Sequence, residues 1–526
     1  MVNDDKLIVA DRTAREDALD VGRSFIVQAP AGSGKTELLI QRYLKLLAIV
    51  NNPEEVVAIT FTRKAAGEMR LRVIEAMASA KDATPPDKVH ERRTYDAARA
   101  VLERDAALEW KLTEFPRRMR IQTLDALSSG IARALPLSST LGGVPLTLAD
   151  SEMQAIYRAA AAATLDWLPS SNRMGHAVER VLVHLDNNSA VYIDYVARML
   201  ETRDQWLRFV GSGASGDRNI ESVRNKLEEQ IGDLIVQRLA VVHDLMPAGL
   251  GAQLMSLAHY AAKNMREQDR DHVIASLAGQ AQLPGTAPGC SGLWRGIAEL
   301  LLTRDGLWRK RLDKNIGFPA KDNGEKKEFS ALLDQLRDQD QLQDCLHSVR
   351  ELPPHRYGDE QWEVLLALFK LLPLAVAELR RIFGERGVVD HTEVALAANL
   401  ALGSADDPGE MALLLDYQIN HLLVDEMQDT SISQYRFLEK LMAGWEDGDG
   451  RTLFCVGDPM QSIYRFRNAE VSQFLVARDQ GIADLSLQPL VLRRNFRSGE
   501  KLVHWFNDTF RHTLPPNDDV AAGAIA

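Results

Sequence analysis

Ala29-Pro-Ala-Gly-Ser-Gly-Lys-Thr36 follows a β-rich run and opens an amphipathic helical pattern, and this context determines the expected fold class. When a glycine-rich turn joins a strand to a helix, backbone N–H groups and the positive end of the helix face phosphate oxygens. Lys35 is expected to reach the β and γ phosphates of a bound nucleotide, and Thr36 to hold magnesium. The predicted nucleotide-binding residues are Ala29, Pro30, Ala31, Gly32, Ser33, Gly34, Lys35 and Thr36. Because Ala29 replaces the first glycine of the strict pattern, a glycine-rich turn without a ligand is the alternative.

The flanking sequence alternates between two kinds of pattern. β-rich runs at 24–27 and 56–60 are followed by amphipathic helical patterns at 37–47 and 65–77. This order is typical of βαβ units, in which helices cover a parallel sheet. The first part of the chain therefore predicts an α/β domain.

Strand patterns return late in the chain, after a long helical interval. Short apolar runs that end in acidic residues lie at 421–424 and 452–456, and both are typical of buried parallel strands. The interval from about 150 to 387 contains long helical patterns, beginning with capping-box spacing at Ser151. We therefore predict one α/β domain that is interrupted by a helical insert.

The run at 421–424 leads into a pair of carboxylates, Asp425 and Glu426. A carboxylate at the end of a buried strand can reach the metal bound by Thr36, and the next can orient or deprotonate the water that attacks the γ phosphate. We assign Asp425 to magnesium and Glu426 to the water. Two acids that open a helix are the alternative interpretation.

The composition is that of a globular protein of several domains. The 526 residues are 45% hydrophobic and 26% charged, and the chain is long enough for about three or four domains. The net charge of −12 opposes general binding to nucleic acid, but a local basic channel on an acidic body remains compatible with it. Composition alone leaves the partner undecided.

The sequence gives no indication of export or membrane insertion. The N-terminus lacks a positively charged segment followed by an apolar core. The longest apolar stretch, 364–379, is interrupted by Lys370 and Pro373, which favours a buried helix over a membrane span. The three cysteines lie far apart without a CxxC pair, so no disulfide framework or zinc site is indicated. We expect a cytoplasmic protein without a membrane partner.

Six ordered blocks resemble the UvrD/Rep helicases of superfamily 1, particularly their RecB-like and AddA-like relatives. The first three are the loop at 29–36, Asp425-Glu-Met-Gln-Asp429 and Val456-Gly-Asp-Pro-Met-Gln-Ser-Ile-Tyr-Arg-Phe-Arg467. The other three are Ala58–Met69, Ile121–Leu127 and Leu492–Ser498. The resemblance implies RecA-like motor domains, ATP hydrolysis with Mg²⁺, and single-stranded DNA as the partner.

The resemblance also implies roles for residues in the later blocks. Gln461 resembles the residue that senses the γ phosphate, and Tyr464 and Phe466 are expected to stack on unpaired bases, with core packing as the alternative. Arg497 resembles the arginine that stabilises γ-phosphate charge, and Phe496 occupies the position that stacks on adenine. A surface arginine in a basic run is the alternative for Arg497.

Two further blocks resemble segments that contact DNA in the family. Hydroxyl and guanidinium groups at Thr62 and Arg63 suit phosphate, and Phe61 suits a base face. The family usually has asparagine where Arg63 stands. Thr123 is the candidate in the second block, where the start of an amphipathic helix is the alternative.

The chain departs from the family pattern in two places. The segment 11–17 lacks the glutamine with which the family reads adenine, so the resemblance supports phosphate binding more strongly than selectivity for adenine. No counterpart of the family's later blocks follows Arg497, and the chain is therefore expected to be truncated.

We predict a RecA-like P-loop domain at 1–140 and 388–482, a helical insert at 141–387, and the start of a second RecA-like domain at 483–526. The resemblance implies 3′ to 5′ movement and a role in DNA repair or recombination. It also implies a further candidate partner, which is a nuclease or recombination subunit. Two alternatives stay open. One is the front part of a helicase–nuclease, and the other is a module that binds ATP and DNA without turnover.

Overall fold

The computed structural model describes most of the chain. The described residues are 11–81, 84–134, 146–148, 150–211, 217–267, 272–319, 323–403, 409, 418–462 and 470–511. They divide into two compact units. The first contains Met1–Trp167, Asn188–Arg208 and Leu372–Ala526, and the second contains Leu168–Asn187 and Phe209–Leu371.

A parallel sheet forms the centre of the first unit. The strands of this unit are β1 (Phe25–Gln28), β2 (Val56–Thr60), β3 (Arg120–Thr123), β4 (Leu146–Thr147), β5 (Val388–Val389), β6 (His421–Val424), β7 (Thr452–Gly457) and β8 (Gln488–Val491). Six of them form one sheet in the order β3-β2-β6-β7-β1-β8, and β4 pairs with β5. Every pairing is parallel. The four strands predicted from the sequence lie within one residue of the observed bounds, so the predicted α/β fold class is confirmed.

The central strands are buried along their whole length. Every residue of β2, β6 and β7 is buried. Helices cover both faces of a parallel sheet, so its strands consist of continuous apolar residues rather than an alternating pattern. Phe454 and Val27 lie in one core cluster with residues of the helix Lys35–Leu47. This packing fixes the helix that follows the glycine-rich loop.

Arg42 ties that helix to the chain before β1. Its guanidinium is fully buried and donates to the carbonyl oxygens of Ala18 and Arg23, each at 2.6 Å. Burial lowers the pKa of Arg42 to about 9, which still leaves the group charged at neutral pH. Both sides of the loop are therefore anchored by the same side chain.

Strand β8 lies in the segment where the sequence predicts the start of a second RecA-like domain. It instead forms the outer strand of the first sheet, with Gln488 opposite Phe25 and Val491 opposite Gln28. Its residues are largely exposed, as expected of an edge strand. The helix Glu500–Phe510 follows it and has no buried residue. The domain boundary at 483 remains a prediction.

The remaining helices also fall into the two units. Those of the first unit are 11–17, Lys35–Leu47, Arg63–Ser79, Val89–Leu108, Leu124–Ala134, Asp150–Ala163, Ser189–Glu201, His391–Ala401, Ile432–Leu441, Val471–Gln480 and Glu500–Phe510. Those of the second are Arg173–His184, Asp217–Leu245, Leu250–Glu267, Ser291–Leu301, Asn323–Leu336 and Asp340–Val349. Arg203–Gly211 and Asp359–Arg386 contain residues of both units.

The second unit is helical and has its own core. Trp294, Phe318 and Phe329 are fully buried there, and the last two rings lie 5.1 Å apart. The predicted insert is helical, as expected, but two helices within its predicted bounds, Asp150–Ala163 and Ser189–Glu201, belong to the first compact unit. The exact bounds of an insert domain therefore remain a prediction. In the described part of the chain, no helix has both the length and the apolar character needed to cross a bilayer.

A buried ionic cluster joins separate segments within the first unit. The Arg203 guanidinium, fully buried, binds both oxygens of Asp390 at 2.5 and 2.6 Å and also reaches Glu393 at 3.1 Å. The Tyr157 hydroxyl donates to the same Asp390 carboxylate at 2.6 Å. Burial alone would raise the pKa of Asp390, but Arg203 outweighs it and holds that pKa below its usual range. The cluster is therefore charged and internally satisfied.

Removal of one partner from this cluster should be costly. We expect Arg203→Met to lower the free energy of unfolding of the first unit by about 3–5 kcal/mol, because the Asp390 carboxylate stays buried without its counter-charge, whereas Glu393 keeps its pair with Arg380. Urea titration followed by circular dichroism measures this loss. Arg381→Met is the control, since Arg381 forms exposed pairs with Glu378 and Glu385 and should lose less than about 1 kcal/mol. Equal losses in the two variants would contradict the prediction that the buried Arg203 cluster contributes more to stability than the Arg381 pairs.

Candidate functional site

The glycine-rich loop connects β1 to the helix Lys35–Leu47. Ala29 is fully buried and its N–H donates to the carbonyl oxygen of Gly457 at 2.8 Å, so this position continues the strand instead of turning. Gly32 and Gly34 both have φ of +78°, a left-handed conformation that favours glycine. The helix begins at Lys35, directly after Gly34. The local geometry is that of a phosphate-binding loop. Position 29 does not require glycine, because it continues the strand and does not take part in the turn.

The segment 495–497 lies directly on this loop. The N–H of Phe496 donates to the carbonyl oxygen of Gly32 at 2.7 Å. A Cβ added to Gly32 would lie 2.6 Å from Oδ1 of Asn495 and 2.7 Å from Cβ of Arg497. Only glycine therefore allows this approach. The structure brings the predicted residues Phe496 and Arg497 to the loop, and both side chains are exposed.

Lys35 and Glu426 form an ion pair of 2.5 Å although 391 positions separate them in sequence. Lys35 follows β1 and Glu426 follows β6, and the carboxyl ends of parallel strands meet at the same edge of a sheet. The pair places Thr36 and Asp425, the next residue on each side, at this edge as well. The loop and the two carboxylates therefore lie at the same edge of the sheet, and their joint binding of a nucleotide remains a prediction.

Asp425 has a raised pKa, and Glu426 has an uncommon backbone conformation. Burial, together with the negative charge of Glu426, raises the pKa of Asp425 to about 6. A carboxylate held in this way is stabilised by a nearby cation. Glu426 has φ of +54°, a left-handed conformation that costs a residue with a Cβ about 1–2 kcal/mol. Strain of this kind clusters at functional sites.

Gln428 connects Glu426 to the predicted residue Gln461. Its Nε2 donates to Oε2 of Glu426 at 2.8 Å, and its Oε1 accepts the backbone N–H of Asp458 at 2.9 Å. The side-chain amide of Gln461 donates to the Asp458 carboxylate. Gln428 and Asp458 have no role predicted from the sequence, although both lie within the blocks quoted above. Their bonds make Gln461 part of the network that surrounds Glu426.

A cavity of about 140 Å³ lies at the carboxyl ends of β2, β3 and β6. Its lining residues are Ile59, Thr60, Phe61, Thr123, Leu124, Asp125, Val424, Asp425, Glu426, Asp429, Thr430, Gln434 and Leu438. The cavity therefore adjoins the two carboxylates. It also includes Phe61 and Thr123, two of the residues that were predicted to contact DNA.

The threonines near this cavity have structural partners. The Thr123 hydroxyl is buried and accepts the N–H of Ala126 at 3.2 Å, so it caps the helix Leu124–Ala134, as the alternative interpretation anticipated. The Thr62 hydroxyl accepts the N–H of Ala65 at 3.1 Å and caps the helix Arg63–Ser79 in the same way. Arg63 is the exposed first residue of that helix. Their predicted DNA contacts remain predictions, and Tyr464 and Phe466 lie outside the described residues.

Asp429 is a second buried acid at this edge of the sheet. The residue is 6% exposed, and its Oδ1 has no hydrogen-bond partner among the described residues. Burial and the charge of Glu426 raise its pKa to about 6, although the Ser462 hydroxyl opposes this shift. The ionised form of Asp429 is therefore unfavourable in the folded chain.

We expect Asp429→Asn to raise the thermal midpoint of unfolding at pH 8 and to raise it only about half as much at pH 5. The folded pKa of about 6 lies above the ordinary value of 3.8, so the cost appears as the pH rises from about 4 to above 6. A two-unit difference corresponds to at most about 3 kcal/mol. Scanning fluorimetry between pH 5 and pH 8 measures it.

The control for this variant is Asp449→Asn, which should have the opposite sign. Burial opposes ionisation there too, but the N–H of Glu446 and the Arg451 side chain hold the pKa of Asp449 below its usual range. Its amide variant should therefore lower the midpoint at pH 8. A lower midpoint for Asp429→Asn at that pH would contradict the prediction.

Comparison with known proteins agrees with this geometry. The chain resembles bacterial proteins of the AddA type, whose names describe them as subunits of an ATP-dependent helicase/nuclease. It is 25% identical to that of Lysinibacillus sphaericus (strain C3-41) over 94% of the chain and 39% of the relative. It is 26% identical to that of Exiguobacterium sibiricum over 96% of the chain and 40% of the relative. The chain thus spans about two fifths of the length of these relatives.

The family comparison covers the glycine-rich loop and every strand of the main sheet except β8. The UvrD/REP helicase N-terminal domain matches residues 11–174 and 298–481, which together are more than half of the chain. The matched parts include the glycine-rich loop, the Lys35–Glu426 pair and the Gln461 network. This chain belongs to the UvrD/REP helicase N-terminal domain family.

Proposed function

We propose that this chain is an ATP-driven motor on single-stranded DNA that uses the loop at 29–36 as its catalytic nucleotide site. The observation that carries the proposal is the Lys35–Glu426 ion pair at the start of the helix after the loop. It joins the residue type that binds phosphate to the residue type that orients water. Arg497, which lies beside Gly32, adds a positive charge on the same loop.

The ion pair also indicates how nucleotide binding prepares the reaction. Phosphate oxygens compete with Glu426 for the Lys35 ammonium group, so a triphosphate on the loop releases the carboxylate. Glu426 is then able to accept a hydrogen bond from the attacking water. A bond forms between the water oxygen and the γ phosphorus as the bond to the leaving oxygen breaks. Arg497 stabilises the charge that develops on the γ phosphate.

The residues at the edge of the sheet fit a magnesium ion held together with a nucleotide. Thr36 and Asp425 are the candidate ligands, and the raised pKa of Asp425 marks a carboxylate that gains from a nearby cation. No group of three or more His, Cys, Asp or Glu side chains in the described residues is arranged to hold a metal ion. Mg²⁺ commonly takes one or two carboxylates and completes its shell with substrate phosphates and water. The ion would supply charge neutralisation of the phosphates.

Single-stranded DNA is the proposed second ligand, at the edge of the sheet where the cavity lies. Phe61 lines this cavity together with Asp425 and Glu426, so an unpaired base stacked on Phe61 would lie close to the catalytic carboxylates. Arg63 and the N-terminus of its helix are exposed and suit a phosphate of the backbone. This proximity provides a physical route for DNA to influence hydrolysis.

The names of the relatives suggest the biological setting. They are helicase/nuclease subunits, so we infer that the motor works in DNA repair or recombination, moves 3′ to 5′, and cooperates with a nuclease activity and a further protein partner. A module that binds ATP and DNA without turnover is the competing proposal. The two differ in whether DNA stimulates phosphate release.

We expect Lys35→Ala and Glu426→Gln each to lower the DNA-stimulated rate of phosphate release by about a hundredfold or more. Lys35→Ala should also weaken nucleotide binding, whereas Glu426→Gln should retain it because the amide does not contact phosphate. Phosphate release and binding of a fluorescent ATP analogue distinguish the two effects. Lys88→Ala, at an exposed lysine paired with Glu91, is the control. If the unaltered chain binds both ligands but shows no DNA-stimulated release, the module without turnover is the correct interpretation.

We expect Phe61→Ala to weaken binding of single-stranded DNA about fivefold or more, because one stacked base is typically worth about 1–3 kcal/mol. Fluorescence anisotropy with a labelled oligonucleotide measures the dissociation constant at fixed salt. Phe115→Ala is the control, since Phe115 is exposed and precedes β3, which places it at the opposite edge of the sheet. An equal loss of DNA affinity in both variants would show that Phe61 makes no specific contact with DNA.

A further inference from the structure

Asp11 connects the helix at 11–17 to the segment that lies on the glycine-rich loop. It is almost completely buried, and its Oδ1 accepts the backbone N–H groups of Arg493 at 2.8 Å and Arg494 at 3.2 Å. Its Oδ2 accepts Nε of Arg15 at 2.8 Å. Burial alone would raise the pKa of Asp11, but these hydrogen bonds outweigh it and hold that pKa below its usual range. Asp11 therefore fixes Arg15 as a charged group beside the loop.

Arg15 reaches the loop itself. Its Nη2 donates to the carbonyl oxygen of Ser33 at 2.5 Å, and its guanidinium carbon lies 5.3 Å from the centre of the Phe496 ring. A Cβ added to Gly34 would lie 3.6 Å from Nη1 of Arg15 and 3.8 Å from Cδ2 of Phe496. Nη1 and the ring therefore border the same space beside Gly34. Among the described residues, Nη1 donates to no acceptor, whereas Nε and Nη2 both do.

This space has the composition of a subsite for a nucleobase. Phe496 is 60% exposed and lies next to the loop that would hold the phosphates. The guanidinium carbons of Arg15 and Arg494 lie 5.3 and 5.2 Å from its ring centre, so a base that stacks on this ring takes the place of the exposed Arg494 side chain. Stacking does not distinguish one base from another, because every base has an aromatic face. Selection between bases at this place must then come from a hydrogen bond to the edge of the base, and Arg15 is placed to make one.

The chemistry of a guanidinium gives adenine no advantage over guanine. Adenine presents the N7 acceptor beside the N6 amino donor, whereas guanine presents two acceptors, N7 and O6. A carboxamide both donates and accepts and matches the adenine pair. Arg15 only donates, so it can bind N7 of either purine but cannot accept from the amino group of adenine.

We propose that Arg15 contacts the base of the bound nucleotide and that this site hydrolyses GTP as readily as ATP. The inference rests on the proposed hydrolysis of a nucleoside triphosphate at the loop. It adds a second substrate, a guanine nucleotide, and names the residue that admits it. Asp11 is a positioning residue in this arrangement, because it acts through Arg15.

The test compares kcat/KM for ATP and GTP with single-stranded DNA present. The unaltered chain should give values within about threefold of each other, since no more than a small free-energy difference separates the two contacts. Arg15→Gln should raise the ratio of ATP to GTP about tenfold, because the amide accepts from the adenine amino group. Arg15→Lys keeps a side chain that only donates and should leave the ratio near that of the unaltered chain.

Arg12→Gln is the matched control, because Arg12 lies on the same helix with an exposed side chain paired to Glu16. It should leave the ratio unchanged. Hydrolysis of ATP more than about tenfold faster than GTP by the unaltered chain overturns the inference and leaves the proposed function standing. Hydrolysis of neither nucleotide contradicts the proposed function itself. If Arg15→Gln lowers both values equally, Arg15 has a structural role and the base contact is wrong.

Discussion

The ion pair between Lys35 and Glu426 is the constraint from which the arrangement of the site follows. One residue follows β1 and the other follows β6, and β7 lies between these strands in the sheet. The contact therefore requires the parallel order of the sheet and a turn after β6 that directs Glu426 toward the loop. The left-handed conformation of Glu426 is part of that turn. The packing of the buried strands around Glu426 offsets the cost of this strained backbone conformation.

Much of this could be predicted from sequence because the signals are local. Continuous apolar runs with acidic ends identified β6 and β7, and the glycine-rich turn identified the loop. Strand β8 was not predicted to join the first sheet, since an exposed edge strand carries no apolar pattern and its pairing with β1 depends on contacts 463 positions apart, as between Phe25 and Gln488. The predicted start of a new domain in that segment followed from chain order alone.

The site was harder to predict where one residue type can serve two purposes. A threonine at the start of a helix can bind a DNA phosphate or cap the helix, and Thr62 and Thr123 both cap. Gln428 and Arg15 act through bonds to residues distant in sequence, and a single glutamine or arginine gives no local signal. Packing determines which of these common side chains belongs to the site, so only the structure identifies them.

The charges at the site are separated in a way that fits the proposed magnesium ion. Asp425, Glu426 and Asp429 crowd one side, and the pKa values of Asp425 and Asp429 are raised because both carboxyl groups are buried near the charge of Glu426. A triphosphate alone would add repulsion to this side, although the arginines beside the loop attract it from the other. A divalent cation between the phosphates and the carboxylates removes that repulsion. The separation of acidic and basic sides therefore supports the proposal that the nucleotide binds together with a metal ion.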